Sequence, residues 1–195
     1  TGVLAALGAA LVWTTASSIW RSLSSVGSAM QLNCLKSGVA TLLFAPMLFW
    51  LPWSTQFAAV GLLLLSGAIG IAVGDSFYLA ALRRLGTRRT LTVEAVGPVL
   101  ASVGSVLLMG EQLGLQAWIG ALLVSGAVML IARPGGDSNQ FSRGGLLCAL
   151  MAVVCGLTGA FIARVVLMDG DLSPLHSAAV RLLGGSLMLV PISAS

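Results

Sequence analysis

Charged side chains are scarce in this sequence. Asp, Glu, Lys and Arg make up 8% of its 195 residues, where a soluble domain carries about a quarter. So few charges cannot cover a water-facing surface, and a soluble globular domain is excluded. Histidine occurs once, at His176, and Cys34, Cys148 and Cys155 stand singly with no CxxC pair. Structural zinc, a disulfide framework and metal catalysis all need clusters of these residues, so no metal or other cofactor is expected. A GxxxxGK[ST] phosphate loop is also missing, which leaves ATP hydrolysis in this chain without a basis. The net charge of +4 comes from ten basic residues gathered in a few short loops. That pattern sets membrane orientation rather than a nucleic-acid surface, and nucleic acid is not expected as a partner.

Apolar residues are what the chain has in abundance, at 57%. A bilayer core about 30 Å thick needs roughly 20 apolar residues per helix. Seven windows meet this, over residues 2–20, 31–50, 58–80, 90–109, 113–132, 145–167 and 174–192. Lipid offers no partner to a bare backbone N–H or C=O, so each window is expected to be a helix. The connections are short and leave no room for an inserted soluble domain.

The chain repeats itself. At an offset of 143, Gly2, Leu4, Ala6, Leu7, Ala9, Thr15, Ile19 and Arg21 overlie Gly145, Leu147, Ala149, Leu150, Ala152, Thr158, Ile162 and Arg164. With two more residues in the following loop, Ser28 overlies Ser173, Lys36 overlies Arg181, Leu42 overlies Leu187 and Pro46 overlies Pro191. Helix six thus restarts helix one, and helix seven restarts helix two. Five helices cross a membrane an odd number of times, so the second copy enters from the opposite side, which is the inverted repeat of carriers. The expected organisation is a first five-helix repeat over residues 1–134 and the start of a second over 143–195, within an all-α integral membrane protein. The opening TGVLAALG lacks an initiator Met and PISAS stops as a helix is finishing; both read as the ends of a fragment.

Basic residues orient the helices. Arg21, then Arg83, Arg84, Arg88 and Arg89, then Arg133 and Arg143 fall in alternate loops, and those loops are expected in the cytoplasm. Asp169 and Asp171 suit the outer face, while Arg164 votes against it. On this count the first helix starts outside.

Ionisable residues inside a span are expensive and are functional candidates. Asp75 lies eight residues before Arg83, roughly 12 Å along a helix. Lys36 lies eight residues after Ser28, at a similar depth from the same side, so the two are expected to form an ion pair or share a cavity wall. Pro98 removes the amide that bonds the carbonyl of Glu94, and a kink near Asp75 follows. Glu94 itself is shallower and is expected to pair with Arg88 or Arg84. Glu111, after Gly110, is expected to cap the fifth helix at the positive end of its dipole. Ser66, Gly70 and Gly74 form a small-residue ridge for close helix approach. The candidate lining of a solute cavity is Trp13, Thr15, Lys36, Asp75, Tyr78, Pro98, Thr158 and Arg181. For the hydroxyl and aromatic members, packing and bonds to their own helix compete with that role.

The stretch from "GDSFYLAALRR" at Gly74 to "IARP" at Pro134 resembles the third to fifth helices of an EamA domain, of the drug/metabolite transporter superfamily. The features that match are Gly74–Asp75 ahead of Tyr78, Pro98 in helix four, Gly110–Glu111 and a Gly-rich last helix, with Lys36 and Arg181 at the basic position of helices two and seven. The resemblance implies a ten-helix, multi-pass carrier of the inner cell membrane that exports small organic solutes by alternating access between two repeats. Two features depart from the pattern. Helices eight to ten are not in the chain, and the family is usually described with cytoplasmic termini, opposite to the charge count. A membrane scaffold or channel is the alternative. An intramembrane aspartyl protease is disfavoured, because its GxGD signature is broken at Ala72 and no second aspartate lies in a span; no catalytic residue is expected.

Overall fold

The computed structural model describes residues 2–22, 27–51, 56–131, 142–169 and 172–193. They form seven helices and no strand: α1 (Gly2–Ser22), α2 (Ala29–Phe49), α3 (Phe57–Leu85), α4 (Thr87–Met109), α5 (Leu115–Ile131), α6 (Arg143–Asp169) and α7 (Pro174–Ser193). Each overlaps one of the seven apolar windows. Helices α2, α3, α4 and α6 are long and apolar enough to cross a membrane, and α5 and α7 are shorter apolar helices. The side chains of Trp13, Arg21 and Pro191, and the residues Arg133 and Asp171, lie outside the described residues.

Local chemistry sets the ends. Ser28 caps α2 in a reciprocal box: its Oγ accepts the Gln31 amide at 3.1 Å, and the Gln31 side chain accepts the Ser28 amide at 2.9 Å. The start of α7 repeats the arrangement, with Ser173 Oγ accepting the His176 amide at 3.3 Å and meeting the ring Nδ1 at 3.2 Å. Gly86 separates α3 from α4 at φ 78°, and Gly110 ends α4 at φ 65°. Both are left-handed positions that suit glycine.

The core is built around α3. Helix α7 packs along its first half and middle, α6 along its whole length, and α2 beside α7 and the second half of α3. One apolar cluster joins Leu51, Val60, Leu63, Ala163, Val166, Leu172 and Val180; a second joins Ala81, Leu85, Cys148 and Ala149. Small residues permit this density. A Cβ on Gly67 would run into the Arg181 backbone, one on Gly184 into Leu64, and one on Gly159 would stand 2.8 Å from the Ser66 carbonyl and 3.0 Å from Gly70 Cα. Ser66 Oγ completes the seam, donating to the Gly159 carbonyl at 2.6 Å. The ridge of Ser66, Gly70 and Gly74 therefore packs on α6, as close-packed membrane helices do.

Helix α1 stands apart. Among the described residues it makes no extensive contact with another helix, and Leu4, Leu7, Leu11 and Val12 are all exposed. Helix α5 packs on α4.

Two helices are interrupted. In α3, Ala68–Gly74 is wound in wide π turns with no proline nearby. In α4, the helix breaks at Ala95 and Val96 between the segments Thr87–Glu94 and Gly97–Met109, one turn before the ring of Pro98 begins to deny its amide. That is the kink the proline predicts.

Candidate functional site

Helix α2 enters beside the wide turn of α3 carrying polar residues one turn apart. Lys36 Nζ forms an ion pair with Asp75 Oδ2, each side chain about a quarter exposed. The depth arithmetic along two separate helices thus brought the right residues level. One turn earlier, the wholly buried Asn33 donates to the carbonyls of Ile71 at 2.8 Å and Ala72 at 3.1 Å, and reaches Ser76 Oγ at 3.0 Å. Ser37 Oγ in turn donates to Asn33 Oδ1 at 3.2 Å. A wide turn spaces its hydrogen bonds irregularly and leaves carbonyls with spare capacity, and Asn33 takes it up. This clasp was not anticipated. The signal in the sequence was a lone Asn in an apolar helix, one turn ahead of Lys36.

On the far side of Asp75 lies a cavity of ≈ 250 Å³. Asp75, Tyr78 and Gly74 line it from α3, Glu94 and Gly97 from the two sides of the α4 break, and Gly156 and Leu157 from α6. Both interruptions therefore border one space. Glu94 is a correction: it makes no ion pair with Arg84 or Arg88 among the described residues. The break turns its side chain inward to the cavity, where it faces the charge of Asp75. Its shallow sequence position was misleading because a broken helix does not keep one face.

A second, larger cavity of ≈ 720 Å³ lies on the opposite face of α3, between the start of α2, the start of α6 and the end of α7. Its walls are apolar, from Met30, Phe77, Met151 and Met188 among others, with Ser76 and Arg84 as polar members.

The remaining candidates distribute unevenly. Pro98 adjoins the cavity through Gly97 without lining it. Arg181 lies against Gly70, with Nη2 3.6 Å from the position a Cβ would take there, and its charge acts on Asp75. Thr15 and Thr158 are both exposed and bond back to their own helices, to Leu11 O at 2.9 Å and Val154 O at 2.8 Å. Neither is brought to the cavity, because the i−4 carbonyl satisfies each hydroxyl locally. For Trp13, the side chain is outside the described residues.

Glu111 also differs from expectation. Helix α5 begins at Leu115, four residues later, so Glu111 is not in its first turn. Its carboxylate is paired instead with Arg164 of α6, which also donates to Ser105 Oγ at 3.3 Å. A specific guanidinium outcompetes a diffuse helix dipole, whose contribution is about 0.3–1 kcal/mol at an exposed end.

No solved structure matches this chain. Among curated proteins, an "Uncharacterized transporter" of Archaeoglobus fulgidus is 29% identical over 154 residues, which covers 77% of this chain and 54% of that protein. The chain therefore spans about half the length of this relative. A 95-residue stretch is 30% identical to proteins named "Probable DNA ligase" from Mycolicibacterium paratuberculosis and Mycobacterium avium, covering 47% of this chain and 18% of each ligase. The broader likeness is to a family: residues 1–133 match the EamA-like transporter family, which takes in α1 to α5 with both interrupted helices, and the chain belongs to that family.

Proposed function

We propose that this protein moves a small organic solute across the membrane by alternating access, with the cavity beside Asp75 as the solute site. The observation that carries the reading is the meeting of two interrupted helices at one cavity: the wide turn of α3 and the break of α4 expose irregular backbone where Asp75, Glu94 and Tyr78 converge. Carriers place irregular backbone in this way only where it lines a cavity, and intramembrane carboxylates mark solute and ion paths. Membership of a transporter family supports the same reading.

The moving parts are two inverted five-helix repeats. Support comes from the matched caps, Ser28 with Gln31 and Ser173 with His176, and from Thr41 and Ser186. These last two residues occupy equivalent positions in α2 and α7, and their hydroxyls meet at 2.8 Å. Residues that contact their own counterparts lie on a two-fold axis. Export, the inner cell membrane and coupling to an ion or solute gradient complete the proposal.

The test is a transport and resistance screen of the intact protein in a host lacking related carriers, followed by uptake into vesicles. Asp75→Asn and Glu94→Gln are expected to lower gradient-driven flux at least about tenfold, the loss of one transition-state contact worth about 1.4 kcal/mol. Flux of a confirmed substrate unchanged in both variants removes this cavity from the path.

A further inference from the structure

Lys36 and Arg181 are equivalent residues of the repeat, but the structure treats them differently. Lys36 is paired with Asp75. Arg181 forms no ion pair among the described residues, and its Nε is buried with no hydrogen-bond partner. A guanidinium left so in a bundle interior is costly, and it is retained where something uses it. Its Nη2 lies against Gly70. Gly70 precedes Asp75 by five residues, and in the wide winding of Ala68–Gly74 five residues make about one turn. Arg181 therefore stands about one turn along α3 from the carboxylate that Lys36 holds.

The segment between them is the one Asn33 clasps. Its bonds to Ile71 O and Ala72 O tie the wide turn to α2, the helix that carries Lys36. If α2 withdraws, the clasp opens with it, and the segment is free to close to ordinary turns. Replacing i→i+5 by i→i+4 winding over five residues rotates Asp75 by roughly a quarter turn relative to Gly70.

We propose that Asp75 trades partners during the transport cycle, from Lys36 in the state described here to Arg181 in the alternate state, and that the wide turn held by Asn33 is the element that rotates it. In each state the carboxylate keeps one base, so the two states stay close in energy, as a cycling carrier requires. The Thr41–Ser186 contact joins α2 and α7 beside the two bases, which gives the exchange a common pivot. The exchange rests on the transport reading for its purpose.

The test reads conformation rather than flux. Leu157→Cys places one thiol on the cavity wall of the intact, otherwise cysteine-free protein, and a membrane-impermeant maleimide is added to right-side-out or to inside-out vesicles. Lys36→Met leaves Arg181 as the sole partner and is expected to shift the ratio of labelling from the two faces about tenfold one way; Arg181→Met is expected to shift it about tenfold the other way. Asn33→Ala should shift it as Lys36→Met does, and Arg181→Lys should keep the original ratio. Lys36→Gln and Arg181→Gln replace either Met variant that is not recovered from the membrane as a monodisperse protein. Shifts in the same direction for the two bases, or no shift on loss of Arg181, overturn the exchange. Opposite shifts in a protein that moves no solute would leave the exchange standing and remove the transport reading.

Discussion

The interruptions of α3 and α4 border the same cavity but have different origins. In α4 the cause is covalent: Pro98 has no amide to offer Glu94, and the helix breaks at Ala95 and Val96. In α3 the residues of the wide segment, AIGIAVG, include nothing that forbids an α-helix. The wide turn is held from outside, by Asn33 on its carbonyls and by α6 and α7 closing on Gly67, Gly70 and Gly74. A break written into one residue is permanent, whereas one held by neighbours can be released when they move. The difference suits α4 to a fixed wall and α3 to a moving part.

Four substitutions test that contrast, taken from the largest effect downward. Gly159→Leu drives a side chain into Ser66 and Gly70 at the α3–α6 seam; it is expected to cost about 3 kcal/mol or more, read as loss of monodisperse protein after mild heating in detergent. Asp75→Ala strands Lys36. A broken buried pair costs about 3–5 kcal/mol, and at a quarter exposure about 2 kcal/mol is expected, with most of it recovered by the Lys36→Met/Asp75→Leu double variant. Thermal unfolding of the four proteins of that cycle supplies the measurement, and an uncompensated double variant would argue that Lys36 and Asp75 act separately.

The third substitution addresses the two interruptions directly. Asn33→Ala is expected to cost about 1–3 kcal/mol by leaving buried carbonyls without their donor, and to raise amide exchange across Ala68–Gly74 while leaving Ala95–Leu100 unchanged. If both segments or neither respond, the contrast fails. The smallest effect belongs to the rim. Glu111→Gln removes a pair whose Arg164 side chain is 47% exposed, so a loss of about 0–1 kcal/mol that shrinks with added salt is expected from thermal unfolding.

Much of this protein was legible because lipid imposes simple rules. Apolar length fixed the seven helices to within a few residues, as a helix must satisfy its own backbone there. The level of Lys36 and Asp75 followed from rise per residue, and Pro98 announced its break. The misreadings share a cause. Glu94 and Glu111 were assigned from distance along a straight helix, and both sit where the helix is not straight: one at the α4 break, the other in the stretch between Gly110 and Leu115. Thr15 and Thr158 matched across the repeat, yet equivalence in sequence conferred no place at the cavity.

By itself the sequence determined the membrane setting, the helix count, the internal repeat and the residues too costly to be in lipid without reason. Each follows from transfer free energy and backbone bonding, which act on a segment wherever it lies. Tertiary structure alone decided that α3 is the central helix, that its turns widen at Ala68–Gly74, and that Asn33 from α2 holds them. Those outcomes depend on which carbonyl finds a donor on another helix, and no residue within the segment carries that information.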